Sequence, residues 1–567
     1  MWREKVVSEF KWWPVRTAFA LCILAAMSPA GADEDTRSCK LPEASSQLTE
    51  GLELQKDGNS EDAVKAYQTC ISLDPDCAEC RYEIGWSYWK LGEWGEVIKS
   101  WEHALQLAPD HPQIPQFLPS ARQNLAAIEK KILTGELKRN IELLSVSEPA
   151  EAPVQMTFVG RWQSYNRAVT HPLDRFDSDI DSPKSVNFNP DGTLVFVNSL
   201  EGAKTVVFDG TGTSKKASIS HRFAAGDAAL FSPKPPFDYK FPADNDQPNV
   251  FVGKPVEGEF SHGGRFYWAP YYRRSYDEMS HYPSAMAIID TKVMKVARVI
   301  STGPIAKNVL ASPDGNWLAV AHWGDNTVGL YDISADDVFA FKEVELLTVE
   351  ARVPAAQMTG DRDHDCGFCI RGLGFSRDGR FLFVSRMRKG GIAVFDLRAR
   401  PRQYLGTIDG FAPGPRDLKI DSKGEYLYLS CNATGFIWKV SVASVIESAL
   451  KANGKRVKID AQSLDAISGF AGLSVRSIKI APGDEYLFAA VNQTSEIVAF
   501  RTSDLGIVAR IPVDSYPVGL DLSPDGTQLW VTSQGRKASG GNSVGVFQVR
   551  YKNDEIILKT KGPTADR

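Results

Sequence analysis

The sequence predicts a multidomain protein of the α plus all-β class, in which a short array of helix pairs precedes a seven-bladed β-propeller. Three observations lead to this prediction. The chain of 567 residues is too long for a single compact core. Its first part repeats itself every 34 residues, which is typical of stacked helix pairs. From about Ser185 to Lys552, a β-rich unit with a tight turn recurs, and radial repetition of such units gives a propeller.

The composition indicates a folded protein that does not bind nucleic acid. Hydrophobic residues make up 43% of the chain and charged residues 24%, whereas a disordered chain would be poorer in apolar side chains. The formal net charge is −5. Because nucleic-acid binding requires a basic excess that neutralises phosphates, we expect no nucleic-acid partner.

Residues 1–32 have the three parts of a secretory signal peptide. Basic side chains at positions 3, 5, 11 and 16 precede an apolar stretch from Thr17 to Met27. The small residues Ala30 to Ala32 form a cleavage site, so we expect the mature chain to begin at Asp33. As an uncleaved helical anchor, which is the alternative, the apolar stretch would cover only half of a ~30 Å hydrocarbon layer. We therefore predict a periplasmic or secreted protein of a bacterial envelope, without a membrane span after cleavage.

Two copies of one helical pattern follow, at residues 44–77 and 78–111. The repeated positions pair Gly51 with Gly85, Tyr67 with Trp101, and Pro75 with Pro109. Small residues let two helices approach closely, and proline ends the second helix of each pair. Both copies resemble tetratricopeptide repeats, and this resemblance implies a groove for a protein partner. A helix predicted over Pro119–Leu133 would cap the stack, giving a helical domain at residues 33–135.

Seven cysteines remain after the predicted cleavage, and their odd number leaves at least one unpaired. Because exported thiols tend to be oxidised, we predict a structural disulfide among Cys70, Cys77 and Cys80, with Cys39 as another candidate partner. Cys77 and Cys80 begin a predicted helix, where backbone amides stabilise a thiolate. A reactive dithiol and a thiolate metal site are therefore the alternatives.

A linker rich in Pro, Glu and Ala, at residues 136–155, precedes the propeller domain at residues 156–567. Six clear copies of the unit of strand, tight turn, strand, loop and strand begin at Val186, Val309, Leu373, Leu418, Ile478 and Leu520. A seventh, degenerate copy begins at Gly258, with Ser284–Asp290 as its third strand. An Asp-Gly or Gly-Gly pair is expected to supply the positive backbone angles of each turn.

These blades resemble the YVTN type of surface-layer proteins, which also occurs in lactonase-like and nitrous-oxide-reductase-like propellers. The resemblance covers about Ser185 to Lys552. It implies the fold but no single function, because blades of this type carry enzymes, haem and copper domains, and scaffolds. Two segments are candidates to complete the last blade, Val154–Gln163 and Glu555–Thr560.

One position of the repeat carries a cation in five of the seven blades. Seven residues before the turn aspartate or its equivalent stand Lys184, Lys307, Arg371, Arg416 and Arg476. Val256 and Val518 occupy this position in the other two blades. Because the position begins the innermost strand, we expect the five side chains to surround the channel mouth. The favoured interpretation is that each cation pairs with an acidic loop residue, such as Glu201, Asp325 or Asp417. The alternative is that the five side chains bind an anionic small molecule or peptide.

A group of histidine and cysteine residues is the candidate metal site. His364, Cys366 and Cys369 lie in the link to the fourth blade, and His322 lies on the neighbouring third-blade loop. Imidazole and thiolate ligands suit zinc or copper. A disulfide between Cys366 and Cys369 is nevertheless the favoured interpretation, with the metal site as its alternative. The absence of a following histidine argues against covalent haem attachment.

No recognisable catalytic motif accompanies these features. The chain has no Gly-x-Ser-x-Gly elbow, no His-Glu-x-x-His helix and no phosphate-binding glycine loop. We therefore predict a non-enzymatic binding or scaffold protein, whose helical array engages a protein partner and whose propeller face binds a partner or an anionic ligand. The alternative is a metal-dependent, lactonase-like hydrolase, or a metal- or redox-binding propeller, with its site at the propeller mouth.

Overall fold

The computed structural model describes most of the chain. The described residues are 37–56, 60–91, 94–133, 145–165, 167, 169, 172–231, 250–274, 283–354, 366–535 and 542–552. Internal contacts divide the chain into two compact units, Met1–Leu137 and Lys138–Arg567. The predicted signal peptide lies outside the described residues. Within the ranges given above, no helix combines the length and the apolar character needed to cross a bilayer.

Five helices make up the described part of the first unit. They are α1 (Pro42–Lys56), α2 (Ser60–Leu73), α3 (Ala78–Leu91), α4 (Trp94–Leu107) and α5 (Ile114–Leu133). Each helix packs against the next one along the chain. A side-chain carbon on Gly51 would overlap the aromatic ring of Tyr67, and one on Gly85 would overlap that of Trp101. Both repeats therefore use the same contact, in which a glycine admits an aromatic side chain between paired helices.

Helix α5 begins five residues before the predicted start at Pro119. Proline is favoured in the first turn of a helix, where its missing N–H costs no hydrogen bond. Pro115 already occupies that turn, and Pro119 is accommodated inside the helix. Leu118 and Ala121 are buried and α5 packs on α4, so the helix covers the preceding pair as a cap should.

The second unit is a propeller of seven blades, which confirms the predicted fold class. Its first two strands are β1 (Val154–Gln163) and β2 (Asp174–Phe176). Blade 1 consists of β3 (Pro183–Phe188), β4 (Leu194–Ser199), β5 (Lys204–Asp209) and β6 (Lys215–Ser220). Blade 2 consists of β7 (Arg222–Ala224), β8 (Val250–Pro255), β9 (Glu259–Ser261), β10 (Phe266–Arg274), β11 (Pro283–Asp290) and β12 (Lys295–Pro304). Blade 3 consists of β13 (Ala306–Ala311), β14 (Trp317–His322), β15 (Thr327–Asp332) and β16 (Lys342–Thr348).

The remaining blades follow in chain order. Blade 4 consists of β17 (Ile370–Phe375), β18 (Phe381–Arg386), β19 (Ile392–Asp396) and β20 (Gln403–Asp409). Blade 5 contains β21 (Pro415–Ile420), β22 (Tyr426–Cys431), β23 (Phe436–Ser441), an insertion of α6 (Val442–Ala452) and β24 (Lys455–Lys458), and then β25 (Ile467–Phe470). Blade 6 consists of β26 (Val475–Ile480), β27 (Tyr486–Val491), β28 (Glu496–Arg501) and β29 (Ile507–Pro512). Blade 7 contains β30 (Pro517–Leu522), β31 (Gln528–Ser533) and β32 (Ser543–Tyr551). Strand β24, which is inserted in blade 5, pairs with β20 of blade 4.

Strand β1 closes the propeller by pairing antiparallel with β32, from Val154 opposite Tyr551 to Gln163 opposite Ser543. Its buried residues join the apolar core between blades 6 and 7, where Phe158 packs on Phe547. Of the two candidate segments, Val154–Gln163 therefore completes the last blade. The other candidate, Glu555–Thr560, lies outside the described residues.

The end of the predicted linker pairs with the propeller. The Ser147 N–H donates to the Met156 carbonyl at 2.8 Å, and Glu148 exchanges two backbone hydrogen bonds with Arg510 of blade 6. A composition rich in Pro, Glu and Ala indicated an extended connection, but it did not reveal that the backbone of this segment is bonded to strands β1 and β29.

Between first and second strands, the four hairpin turns that contain an Asp-Gly pair, in blades 1, 3, 4 and 7, are each held by the aspartate. Asp191 Oδ1 accepts from the Thr193 N–H at 2.9 Å, and Asp525 Oδ1 accepts from the Thr527 N–H at 3.0 Å. Gly192 between the first pair has a φ of 74°. In these turns only the glycine of the Asp-Gly pair has a positive φ, while the aspartate contributes a side-chain acceptor.

Candidate functional site

The first strands of the blades lie around the propeller axis, since they contact one another from blade to blade. In six blades a bulge interrupts the pairing of the first and second strands at the same point. The residues at this bulge are Lys184, Lys307, Arg371, Arg416, Arg476 and Val518. A bulge turns a side chain out of the regular alternation of a strand. The five predicted cations therefore share one structural position, and we call them the cation ring.

The cation ring is a single cluster, although its members come from five blades. Burial lowers the pKa of Lys184 well below its ordinary value, and the nearby charges of Arg476 and Lys307 lower it further. Burial also lowers the pKa of Arg416, and Arg371 and Arg476 add to this effect. Such coupling requires these side chains to lie within electrostatic reach of one another. Equivalent positions of the sequence thus converge at the axis.

A carboxylate missed by the sequence analysis lies within this cluster. Glu257 follows Val256 in the break between β8 and β9 of blade 2, and its Oε1 pairs with Nη2 of Arg371 in blade 4. Burial raises the pKa of Glu257, but the surrounding cations, Arg371 first, outweigh burial and lower it to about 2. Its other oxygen, Oε2, is buried and accepts no hydrogen bond from a described residue. Glu257 is therefore an ionised counter-charge inside the cation ring.

Two further members of the cation ring have neighbours other than carboxylates. Lys307 Nζ lies 3.9 Å from the ring centre of Tyr272 and 5.1 Å from that of Trp323. These distances are those of cation–π contacts, which stabilise an ammonium group without neutralising it. Arg416 Nη1 lies 3.8 Å from the Met387 sulfur, which is a weak acceptor.

The last two members lie on either side of blade 7. Arg476 Nη1 donates to Asn492 Oδ1 at 3.2 Å and to the Tyr516 hydroxyl at 3.3 Å. Arg476 Nε is buried and has no hydrogen-bond partner in the part of the chain that the structure describes. Lys184 is 9% exposed, and its ammonium group forms no ion pair with any described residue.

The acidic loop residues that the sequence offered as partners bind other cations. The observed pairs are Glu201 with Lys254, Asp325 with Arg352 at 3.0 Å, and Asp417 with Lys419 at 3.2 Å. None of the three carboxylates forms an ion pair with Lys184, Arg416 or Arg476 among the described residues. The cation ring therefore carries more positive charge than Glu257 alone offsets.

Side chains of the preceding blade hold the backbone of the cation ring. In three cases a hydroxyl group on the second strand of one blade donates to the backbone carbonyl of a cation-ring residue in the next blade. The pairs are Ser385 with Arg416 at 3.1 Å, Ser430 with Arg476, and Thr532 with Lys184 at 3.4 Å. All three donors are buried. The sequence pattern that indicates them is a Ser or Thr residue at one position of an otherwise apolar strand. This pattern differs from the repeated charge that predicted the cation ring.

The candidate metal site is only partly within the described residues. His322 is buried; its Nε2 accepts from the Gly303 N–H at 3.1 Å, and its Nδ1 lies 2.9 Å from Thr327 Oγ1. Burial, followed by the charge of Arg352, lowers the pKa of His322 to about 3. Both nitrogens of the neutral imidazole are thus engaged inside the blade.

The cysteines of this site are joined in the structure. Cys366 and Cys369 form a disulfide, which is the interpretation that the sequence favoured over metal binding. His364 lies outside the described residues. The described groups therefore place an oxidised pair and a hydrogen-bonded imidazole where the metal ligands were predicted.

Four cysteines of the helical unit form a second group. Cys39 pairs with Cys77 and Cys70 pairs with Cys80, so the observed pairing includes all three predicted cysteines and the additional candidate. All four sulfur atoms lie within 4.8 Å of one another, and three of the residues are fully buried. In the oxidised state the four cysteines form two structural disulfides. In the reduced state four thiolates this close together would suit tetrahedral zinc.

Comparison with known proteins identifies the helices but no relative of the whole chain. The family model described as "Tetratricopeptide repeat" matches residues 44–77. No curated protein matches the chain. The YVTN subtype of the blades stays a prediction.

Solved structures of propellers resemble the chain over about two thirds of its length. The β-propeller domain of Myceliophteria thermophila Cps50 (Swd1) has a TM-score of 0.43 and 12% identity, covering 65% of this chain and 98% of that one. Kuenenia stuttgartiensis hydrazine synthase has a TM-score of 0.43 and 14% identity, covering 68% and 99%. A chain of the mitotic checkpoint complex has a TM-score of 0.43 and 11% identity, covering 65% and 90%. Such distant likenesses carry no argument about function.

Proposed function

We propose that this chain is an exported, non-enzymatic scaffold protein of a bacterial envelope. In this proposal the tetratricopeptide-like helices bind a protein partner, and the propeller holds an anionic ligand at its channel mouth. Tetratricopeptide and propeller folds commonly mediate protein interactions, and the secretory signal predicted at residues 1–32 supports export.

One observation carries the proposal of an anionic ligand. The cation ring gathers five positive side chains from five blades, and three of them, Lys184, Arg416 and Arg476, form no ion pair with a described residue, whereas Arg371 pairs with Glu257. Buried charges without counter-charges destabilise a fold strongly. A bound anion would offset this destabilisation, and the converging donors would give it a defined place.

The hydrolase and metal-carrier alternatives have less support. His322 has no free nitrogen with which to bind an ion, and the neighbouring cysteines are joined. A platform that binds ligands through the cation ring needs no further chemistry, and we therefore prefer it.

A thermal-shift screen of the full mature chain tests the anion site. We expect dianions to raise the melting temperature at low ionic strength, because a ligand that binds only the folded state stabilises it. The double variant Arg416→Gln, Arg476→Gln should lose this response. If no anion stabilises the wild-type protein, the anionic-ligand part of the proposal is wrong.

Co-purification tests the helical part. A partner from envelope extract should be retained by the wild-type chain and lost by Gly85→Ala, which disturbs the packing of Trp101, while the anion response persists. A partner that Gly85→Ala retains would have to bind elsewhere. Fractionation of the producing cells tests export, with the mature chain beginning at Asp33 as the expected outcome.

A further inference from the structure

The cation ring is electrostatically divided into two parts. On the side of blades 2 to 4, Glu257 offsets the charge of Arg371, and Lys307 lies over the aromatic rings of Tyr272 and Trp323. On the side of blades 5, 6 and 1, none of the three cations has an ion-pair partner among the described residues, and the charge of Glu257 reaches them only without a direct contact. We call Arg416, Arg476 and Lys184 the uncompensated half of the cation ring. Any additional negative charge is therefore most favourable on this side.

The three side chains of the uncompensated half are held in place and close together. Hydroxyls of the preceding blades bind their backbone carbonyls, as described above. All three side chains are less than a tenth exposed. The pKa of each is lowered, first by burial and further by a neighbouring cation, while the charge of Glu257 opposes this shift in all three. Three confined like charges thus repel one another in a place where water screens them poorly.

The donors of this half suit an oxyanion with several oxygen atoms. Two guanidinium groups offer planar pairs of N–H donors, which match phosphate oxygens, and Lys184 adds a point charge. The Nε atom of Arg476 is buried with no hydrogen-bond partner in the described chain, while its Nη1 is oriented by Asn492 and Tyr516. Val518 occupies the equivalent bulge in blade 7, between Arg476 and Lys184 in the order of blades, so this position adds no charge.

We infer that the uncompensated half binds a phosphate group, either as inorganic phosphate or as a phosphomonoester. This inference rests on the proposed function, because it names the anion held at the channel mouth. A phosphate group carries about −1.5 to −2 charges at pH 7 and presents three or more acceptor oxygens. A single carboxylate has one charge and two oxygens, so it leaves part of the three cations without a partner.

Isothermal titration of the full mature chain with inorganic phosphate, at low ionic strength and neutral pH, tests the inference. We expect one site per chain, and Arg416→Gln, Arg476→Gln and Lys184→Gln should each weaken binding roughly tenfold or more. Lys307→Gln is the matched control on the other half, and its effect should be about threefold or less because only long-range attraction is lost. Glu257→Gln should strengthen binding, since it removes a competing negative charge.

Titrations with a phosphomonoester and with a dicarboxylate show whether the site recognises the phosphate group or any anion of similar charge. A small phosphomonoester that binds as tightly as inorganic phosphate would show that the phosphate group itself is recognised, and Arg416→Lys should still weaken binding because the planar donor pair is lost. Equal binding of succinate and phosphate, or equal losses in the Lys184→Gln and Lys307→Gln variants, would overturn the inference while leaving an anion-binding propeller intact. Failure of every anion to bind would overturn the proposed anion site as well. Circular dichroism of each variant confirms that it is folded.

Discussion

Glu257 of blade 2 and Arg371 of blade 4 form an ion pair across the propeller channel, although 114 positions separate them in the chain. The blade between them contributes Lys307, whose ammonium group contacts the aromatic rings of Tyr272 and Trp323. The pair thus connects blades that are not neighbours around the axis. It also places the negative charge of Glu257 in direct contact with one member of the cation ring, Arg371.

Glu257→Gln should make the stability of the propeller less sensitive to acid. The folded-state pKa of Glu257 is about 2, against an ordinary value of 4.5, so its contribution is complete above pH 4.5 and is lost as the pH falls towards 2. We expect the variant to be less stable than the wild type by roughly 3 kcal/mol near pH 6. Urea unfolding at several pH values measures this difference.

The same titration should show the two proteins converging in acid. Between pH 4.5 and 2 the difference in the free energy of unfolding should shrink, because the wild-type carboxylate becomes protonated. Glu447→Gln, in the exposed part of α6, is the matched control and should change stability little at any pH. A constant difference between wild type and Glu257→Gln would show that the cations do not act on this carboxylate.

Ser385→Ala should destabilise the propeller by about 1–3 kcal/mol, because it removes two buried hydrogen bonds. The Ser385 hydroxyl accepts from the Gly372 N–H at 2.7 Å and donates to the Arg416 carbonyl at 3.1 Å. Ser448→Ala, on the partly exposed face of α6, should change stability by less than about 0.5 kcal/mol. Equal effects of the two substitutions, measured by urea unfolding, would contradict the role assigned to Ser385.

The sequence predicted the positions that repeat, and it missed those that break the repeat. Lys184 and Arg416 could be assigned to one cluster from the sequence. They occupy the same position of the repeat, and equivalent positions of the blades lie around one axis. Glu257 could not be found in this way. It lies in the degenerate blade, where β8 and β9 together replace one continuous inner strand. Among its counterparts in the other six blades only Asp417 is acidic, so the repeat gives no consistent charge at this position.

The insertion in blade 5 was missed for a related reason. Residues between two recognised turns were read as strand and loop, although Ser441 caps α6 by accepting from the Ser444 N–H. The pairing of Cys39 was left open because it depends on contacts distant in sequence. The segment before α1 is held against α3 by the hydrogen bond from the Glu79 N–H to the Arg37 carbonyl, which no spacing rule predicts.

Two glycines of the helical unit should respond in opposite ways to alanine. A methyl group on Gly85 would overlap the Trp101 side chain, whereas Gly95 in α4 has open space around it. Gly85→Ala should lower the free energy of unfolding by about 1–3 kcal/mol through overpacking. Gly95→Ala should raise it by about 0.5–1 kcal/mol, because alanine favours the helix. Thermal unfolding, followed by the helical circular dichroism signal, measures both effects. If Gly85→Ala stabilised the protein, the packing assigned to Gly85 and Trp101 would be contradicted.

Thiol counting should distinguish three disulfides from a metal-bound cysteine group. Cys431 is the free cysteine of the described chain; it is buried, and burial raises the pKa of its thiol, so it should not react in the folded protein. The non-reduced mature chain should therefore show no reactive thiol when folded and one after denaturation, with no zinc. Cys431→Ala is the control and should abolish the remaining thiol. The contrary outcome is five thiols after denaturation together with one zinc ion per chain by elemental analysis. It would show that the four cysteines of the helical unit, Cys39, Cys70, Cys77 and Cys80, bind metal, because their sulfur atoms form the compact group that zinc requires.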